Sequence, residues 1–435
     1  MNKRVVVTGI GVVAPNGVGI DKFNDSLFNG SFGMRVHDHL KDLNIKCFIA
    51  GIPSVDADIV EEFCKRHRIV KLKSSGILYG CMAGIEAWID AGLKIEERNS
   101  SHALWDSGCV FGSSCVGIDA FDFNYKQAKV KNVKKIGGRI AQQAMNSGVS
   151  AYLGGILGLG NQVTTNASET NTGLESIING YYRIKWGLAE KMLVGSTEGS
   201  SPYLYGAYET IRTEEGVSVT YNPVYNDAFK FSLEDELKLH KDSLGGIMPG
   251  SGSGAMVIES LQSAQSRSAK IYAEIVGTHI NSGGQTNGGG LISTNQDMLN
   301  SCITSSLSDA NVQFQDLDIL VGQFQSNYCD LVEKDLLEVL LSPLDSIPNI
   351  VALKPLISHC LGGSGSIEAV ATILMLSNQY LVPSFIGQNS LPSFFSSHYH
   401  STADKIVNNN FKVALKYSYG VGDVNSSIVI KKWEE

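Results

Sequence analysis

Long apolar runs, paired cysteines and an excess of positive charge are all missing from this sequence. No apolar stretch reaches the roughly 20 residues that a membrane-spanning helix needs. The apolar run near the N-terminus breaks at Thr8 and Gly9 and is too short for a secretory signal peptide, so the expected location is the cytoplasm. Acidic residues outnumber lysine and arginine by 43 to 35, which argues against nucleic acid or an anionic membrane surface as the main partner.

The eight cysteines are scattered, and none belongs to a Cys-x-x-Cys motif. Reduced, buried thiols are therefore the expected state, and neither a metal nor another cofactor is expected. Two gaps limit the available chemistry further. No cysteine lies between Cys115 and Cys302, and no histidine lies between His279 and His359. A catalytic site formed from the first interval therefore contains no thiol, and one formed from the second contains no imidazole.

A strand, a small-residue loop and an apolar-faced helix occur in that order twice. In the first set, a β-branched run and loop at 162–173 lead into a helix at 174–182, whose apolar residues recur at helical spacing. In the second set, a strand and loop at 350–365 lead into a helix at 366–376. The repetition predicts two α/β units of similar topology.

The repetition divides the chain into an N-terminal half, residues 1–258, and a C-terminal half, residues 259–435. Between the two motifs lies a charged insertion at 229–242. It is predicted to be a solvated helix or loop, and a docking surface is the alternative interpretation.

The loop at 162–173 presents three polar residues at the start of a helix, where the helix dipole favours an anion. Ser168, Glu169 and Thr170 occupy a position that often carries a nucleophile, but none of them is a good nucleophile unaided. Ser168 is interpreted as an N-cap residue. Glu169 is interpreted as a helix-start or interface residue, and a base is the alternative role for its carboxylate.

Four segments, in the right order, resemble the β-ketoacyl synthases of the thiolase fold. They are the opening strand and turn at 4–17, the segment Gly187 to Glu198, the segment Lys354 to Glu368, and the loop Tyr417 to Asn425. The resemblance covers essentially the whole chain. It implies an α/β thiolase fold, with two pseudo-symmetric halves in a five-layered αβαβα sandwich.

In that family a cysteine thiolate at a helix N-terminus accepts the acyl chain as a thioester. Two histidines assist malonyl decarboxylation and stabilise the enolate and oxyanion that develop. The resemblance matches Gly158, Gly173 and Gly187 without gaps, and this register places Thr170 at the cysteine position. Three family residues are retained, and they correspond to His359, Lys354 and Glu368.

The first of the two histidines has no counterpart, because the segment after Val321 reads Gly-Gln-Phe-Gln-Ser-Asn. No complete catalytic set is therefore expected. The Thr170 hydroxyl is a far weaker acid than a thiol and is not expected to replace it. His359 is interpreted as a hydrogen-bonded architectural residue, with Lys354 and Glu368 as a supporting pair.

This pattern resembles the chain-length factors, which are synthase-like subunits that pair with an active ketosynthase in type II polyketide systems. Glutamine usually occupies the cysteine position in those proteins, whereas this chain has Thr170 there. The match is therefore to the role more than to the aromatic-polyketide members, and the chain also resembles the corresponding subunits of aryl-polyene clusters. This resemblance implies a heterodimer with a cysteine-bearing ketosynthase, an acyl carrier protein as a further partner, and a role in shaping the acyl tunnel. Tunnel candidates are Cys115, Val116 and Phe121, for which ordinary core packing is the alternative.

Two other interpretations remain open. The chain is alternatively a stand-alone enzyme, either a decarboxylase that releases carbon dioxide from malonyl-carrier protein through His359 or an atypical synthase-like acyltransferase. The third interpretation is a carrier-protein or lipid-binding module without catalysis.

Overall fold

The structure is a computed structural model that describes residues 2–95, 102–211, 219–220, 246–325, 329–383 and 410–434. The predicted insertion at 229–242 lies outside these ranges. The strands are β1 Val5–Ala14, β2 Gly17–Val18, β3 Arg35–Val36, β4 Ile49–Ala50, β5 Ser107–Ser113, β6 Val163–Thr164, β7 Lys191–Glu198, β8 Gly252–Ser260, β9 Ala273–Ser282, β10 Ile319–Val321, β11 Asn349–Val351, β12 Val413–Gly420 and β13 Val424–Lys432.

Helices alternate with these strands along most of the chain. They are α1 Ile20–Asn29, α2 Asp38–Asp42, α3 Ala57–Arg66, α4 Ser75–Asp90, α5 Ile118–Lys129, α6 Gly137–Gln143, α7 Gly148–Leu157, α8 Thr172–Lys185, α9 Pro202–Thr210, α10 Leu261–Ser266, α11 Gln296–Ala310, α12 Cys329–Leu341, α13 Lys354–Ile357 and α14 Ser364–Asn378. None of the helices in the described ranges is both long and apolar enough to cross a membrane.

One mixed sheet runs through the described residues in the order β11-β10-β12-β13-β9-β1-β8-β7-β5-β6, and β2 pairs with β1. Its two halves are joined where β1 pairs antiparallel with β9, with Val5 opposite Ile275. Parallel pairing occurs near the two ends of the sheet, for example between β5 and β7 and between β10 and β12. A mixed sheet with helices on both faces confirms the predicted α/β class.

Three apolar clusters separate the layers. The largest lies between the two halves of the sheet and is built around the central helices α8 and α14. A second cluster packs α4 and α7 against the outer face of β1, β5, β7 and β8. A third packs α11 and α12 against the outer face of the C-terminal strands. The resulting order of helix, sheet, central helices, sheet and helix corresponds to the expected five layers.

The two central helices approach each other closely at Gly173. A Cβ atom added to Gly173, in the first turn of α8, would lie 2.2 Å from the backbone nitrogen of Ser366 in α14. No real Cβ contact is this short, so only glycine allows the two helices to approach so closely. This approach brings the loop before α8 next to the loop before α14.

The predicted division at residue 258 falls inside β8, two residues before that strand ends at Ser260. The division into halves at this residue stays a prediction.

Candidate functional site

Thr170, the residue predicted to occupy the nucleophile position, lies in a single 3₁₀ turn, Glu169–Asn171, that leads directly into α8. Its side chain is buried. The turn packs against a second 3₁₀ turn, Leu361–Gly363, that leads into α14. Thr170 and His359 therefore come together because both precede central helices that start side by side.

A chain of hydrogen bonds fixes the Thr170 hydroxyl. Thr170 Oγ1 donates to the carboxylate of Glu169 and lies 3.2 Å from His359 Nε2. The backbone N–H of Leu361 donates to His359 Nδ1 at 3.3 Å, which assigns the ring proton to Nε2. That nitrogen also lies 3.2 Å from Gln325 Oε1. The histidine is therefore a donor toward the threonine and is not placed to remove its proton.

Burial shifts the pKa of two titratable groups in the site, His359 and Glu169. It lowers the pKa of His359 well below the usual value, and the positive charge of Lys354 lowers it further. The imidazole is therefore neutral at physiological pH. Burial raises the pKa of Glu169, against the opposing effect of hydrogen bonds from Thr170 and Tyr208. The raised pKa makes the Glu169 carboxylate more basic than an exposed one, whereas the neutral imidazole directs its Nε2 proton toward Thr170.

Ser168 stands at the N-cap position of the 3₁₀ turn, as predicted, but its hydroxyl makes no cap hydrogen bond to a backbone N–H. It donates instead to Glu175 Oε2 at 2.5 Å, because Glu175 lies one turn into α8. Glu169 does stand at the start of the helix, but its carboxylate points into the site.

Lys354 and Glu368, the supporting pair that the family resemblance implied, form a buried ion pair. Lys354 Nζ lies 2.6 Å from Glu368 Oε1, and Lys354 also donates to the backbone carbonyl of Gln323 at 2.7 Å. A second lysine, Lys416, lies 2.8 Å from Glu368 Oε2. Sequence reasoning missed Lys416, although it is a single charged residue within the wholly buried strand β12.

Another buried carboxylate organises the segment in which the first family histidine was expected. Glu333 accepts the backbone N–H groups of Gln323 at 2.6 Å and Phe324 at 3.0 Å. It also accepts from the Tyr417 hydroxyl at 2.6 Å. This clamp directs Gln325 toward His359, so a neutral amide faces the retained histidine. Neither Glu333 nor Gln325 was predicted to belong to the site.

Comparison with known proteins identifies the fold family. The sequence profile described as "Beta-ketoacyl synthase, N-terminal domain" matches residues 2–264, and the one described as "Beta-ketoacyl synthase, C-terminal domain" matches residues 272–387. The chain belongs to the β-ketoacyl synthase family. Its α/β architecture is the thiolase-like fold of these synthases, as the sequence predicted.

Named relatives align with this synthase-family chain from end to end. It is 26% identical to 3-oxoacyl-[acyl-carrier-protein] synthase 2 of Vibrio harveyi, covering 100% of this chain and 99% of the relative. It is 27% identical to 3-oxoacyl-[acyl-carrier-protein] synthase 1 of Buchnera aphidicola subsp. Acyrthosiphon pisum, covering 99% of this chain and 100% of the relative.

Two solved structures share the fold at low identity. The ishigamide ketosynthase/chain length factor superimposes with a TM-score of 0.80 at 18% identity, and 100% of each chain is covered. A type II PKS acyl-carrier protein in complex with its ketosynthase, AntDE:AntF, gives a TM-score of 0.80 at 21% identity, again with 100% of each chain covered. These likenesses concern the fold.

The three predicted tunnel residues of this β-ketoacyl synthase homologue lie apart from the site described above. Cys115 is exposed, and Phe121 on α5 is 65% exposed. Val116 is buried in the apolar cluster beneath α4 and α7, which is the core packing that the sequence left as its alternative. None of the three lines the small cavity next to His359. Their role in a tunnel stays a prediction about the assembled complex.

A further carboxylate holds the loop that carries Cys115. Glu198, at the end of β7, accepts the backbone N–H groups of Ser114 and Cys115, each at 3.2 Å. Burial raises the pKa of Glu198 to about 7, although these hydrogen bonds oppose the shift. The loop is therefore held by a group that titrates near neutral pH.

Substitution of Glu198 by glutamine is expected to flatten the dependence of stability on pH. A carboxyl whose pKa is raised in the folded state favours folding most when protonated, so this contribution is lost as pH rises from about 4.5 to about 7. The wild-type protein should lose on the order of 2–3 kcal/mol of unfolding free energy relative to Glu198→Gln across this interval. Urea unfolding of both proteins at several pH values measures it, and parallel profiles would contradict it.

Proposed function

We propose that this protein is a non-catalytic, chain-length-factor-like subunit of a heterodimeric β-ketoacyl-acyl-carrier-protein synthase. The observation that carries the proposal is the bonding of the Thr170 hydroxyl. This hydroxyl, of the residue predicted at the thiol position, donates to Glu169 and faces the protonated Nε2 of His359. A threonine oxygen cannot form a thioester, and its hydroxyl is a far weaker acid than a thiol. Condensation therefore requires the cysteine of a second subunit.

The end of the sheet supports pairing with a second subunit. The two-residue strand β6 is the last strand of the sheet in the described residues, and it pairs only with β5. Trp105 (73% exposed) and Leu188 (53% exposed) flank this edge, and the Asn161 amide binds the backbone carbonyls of both. An open strand edge beside exposed apolar side chains is a surface that another chain can complete. We assign this edge to the catalytic ketosynthase.

A basic surface supports the second proposed partner, an acidic acyl carrier protein. Segment 65–73 carries five lysines and arginines and segment 126–139 carries six, all exposed, with no acidic residue in either segment. The second segment ends inside α6, and Gln143 at the end of that helix binds the first segment: it accepts from the Lys73 backbone N–H at 2.7 Å and donates to the Lys71 carbonyl at 3.0 Å. In a chain of net charge −8, such a concentration of positive charge favours an acidic partner.

Reconstitution tests the proposed function. The chain should co-purify in a 1:1 complex with a ketosynthase that carries the cysteine and both histidines, and the complex should convert acyl- and malonyl-carrier protein into a ketoacyl product. This protein alone should give no product. Formation of a ketoacyl product by the isolated chain would contradict the proposal, as would a homodimer that ignores the ketosynthase.

Charge reversal on the basic surface tests the carrier-protein contact. Arg68 and Arg139 line one surface cavity of about 430 Å³ between the two segments. The variant Arg68→Glu/Arg139→Glu should weaken carrier-protein binding to the complex at least about tenfold at low salt, with a smaller effect at high salt because exposed charges are screened. The variant Lys270→Glu/Lys412→Glu changes net charge equally elsewhere on the surface and serves as the control. Equal binding by both variants would contradict the assignment.

His359 gives one reason to test a second function, malonyl-carrier-protein decarboxylation by this chain alone. His359 lines the site cavity, and an imidazole N–H is a group that stabilises a developing negative charge. Carbon dioxide release by the isolated protein, lost in His359→Ala, would favour this activity. The proposed non-catalytic role predicts no release.

A further inference from the structure

Glu169 has a conformation that the loss of the cysteine does not explain. Its backbone is left-handed, with φ of 55°, which is uncommon for a residue other than glycine, asparagine or aspartate. Its side chain is only 11% exposed. Such a strained backbone persists only where the surroundings fix it, and it is concentrated at functional positions.

The carboxylate fills the space in front of Thr170. One oxygen, Oε2, accepts a hydrogen bond from the Thr170 hydroxyl. The other, Oε1, lies 4.0 Å from His359 Nδ1. The remaining cavity, lined by Glu169, Tyr208, Gln325, His359 and Tyr419 among others, measures only about 30 Å³. That is enough for roughly one water molecule and not for an acyl or malonyl group.

We propose that the Glu169 side chain closes this site, so that carrier-bound acyl and malonyl groups are excluded by filled space and not only by the missing thiol. Within the proposed heterodimer, Glu169 is then a specificity-determining residue: it leaves the partner's cysteine as the only loading site for the acyl group. The exclusion depends only on the volume of the Glu169 side chain, so it does not require that the protein forms a heterodimer.

Restoring a thiol at residue 170 tests the closure directly. In a Cys115→Ser background, which removes the exposed cysteine, Thr170→Cys should react slowly with iodoacetamide. The reaction forms a carbon–sulfur bond and releases iodide, and mass spectrometry of the residue-170 peptide measures its rate. Adding Glu169→Ala should accelerate alkylation at least about tenfold. Adding Glu169→Gln, which keeps the side-chain volume but removes the charge, should leave the rate within about threefold.

Two results would overturn the proposal. One is alkylation of Thr170→Cys alone as fast as in the Glu169→Ala double variant. The other is equal acceleration by Glu169→Gln and Glu169→Ala, because charge and not volume would then control access. Circular dichroism melting of each variant verifies that the comparison is made on folded protein. These rates are measured without a partner subunit, so their outcome is separate from that of the reconstitution.

Discussion

Glu368→Gln is expected to lower the free energy of unfolding by about 3–5 kcal/mol. The carboxylate is fully buried between two lysines, 2.6 Å from Lys354 Nζ and 2.8 Å from Lys416 Nζ. Burial alone would raise the pKa of Glu368, but the two ammonium groups outweigh it and hold the pKa below its usual range. Neutral glutamine would leave both ammonium groups buried without a counter-ion. Chemical denaturation at pH 7 measures the loss.

Two matched variants separate buried charge from simple loss of a contact. Glu274→Gln breaks the pair with Arg4, a residue more than half exposed, and should cost no more than about 1 kcal/mol. Glu368→Gln/Lys416→Met removes one of the stranded charges and should recover part of the stability. The Glu368→Gln deficit should also shrink as pH falls through the folded-state pKa of Glu368, since the wild-type carboxyl is then protonated. Equal effects of Glu368→Gln and Glu274→Gln would contradict the buried network.

In the reconstituted complex, the two subunits should respond very differently to loss of the residue at the start of the central helix. Alanine in place of the partner's cysteine removes the only thioester-forming group, so ketoacyl product should fall at least about a thousandfold. Thr170→Ala in this chain removes a hydroxyl that makes no covalent bond, so the rate should stay within about threefold of the wild-type complex. Radiolabelled malonyl-carrier protein and product chromatography measure both rates.

Loss of product on Thr170→Ala comparable to that of the partner's cysteine variant would show that this chain takes part in acyl transfer. Each variant complex must still be assembled, which size-exclusion chromatography establishes. Thr170→Ser keeps the hydroxyl and should behave as wild type. A rate that follows the hydroxyl across these variants would therefore argue for catalysis by Thr170.

Local periodicity was sufficient to find the central helices. The helix predicted at 174–182 runs over Thr172–Lys185, and the one predicted at 366–376 runs over Ser364–Asn378. Both helices extend beyond the predicted ranges at each end. Their first and last turns contain polar residues, so the apolar periodicity that identifies a helix does not reach its ends. The family resemblance then supplied Thr170, His359, Lys354 and Glu368, of which the first two meet in the site and the last two pair.

The missed residues share one property, which is that their partners are distant in the sequence. Glu333 meets Tyr417 across 84 positions, and Gln325 meets His359 across 34. The sequence pattern of a single segment cannot predict such contacts, since they depend on how the layers pack against each other. Lys416 differs from these two residues because the sequence around it does indicate its role. A lone lysine within an apolar strand implies a buried counter-ion.

The open sheet edge at β6 has a consequence for how the protein is produced. An uncovered strand with bulky apolar neighbours is a template for unwanted association between identical chains. In the proposed heterodimer the companion covers this edge, so copies made in excess of it are expected to associate with one another at high concentration. Yield should consequently depend on the ratio of the two polypeptides in the cell more than on total expression, and translation of both from one message would keep that ratio fixed.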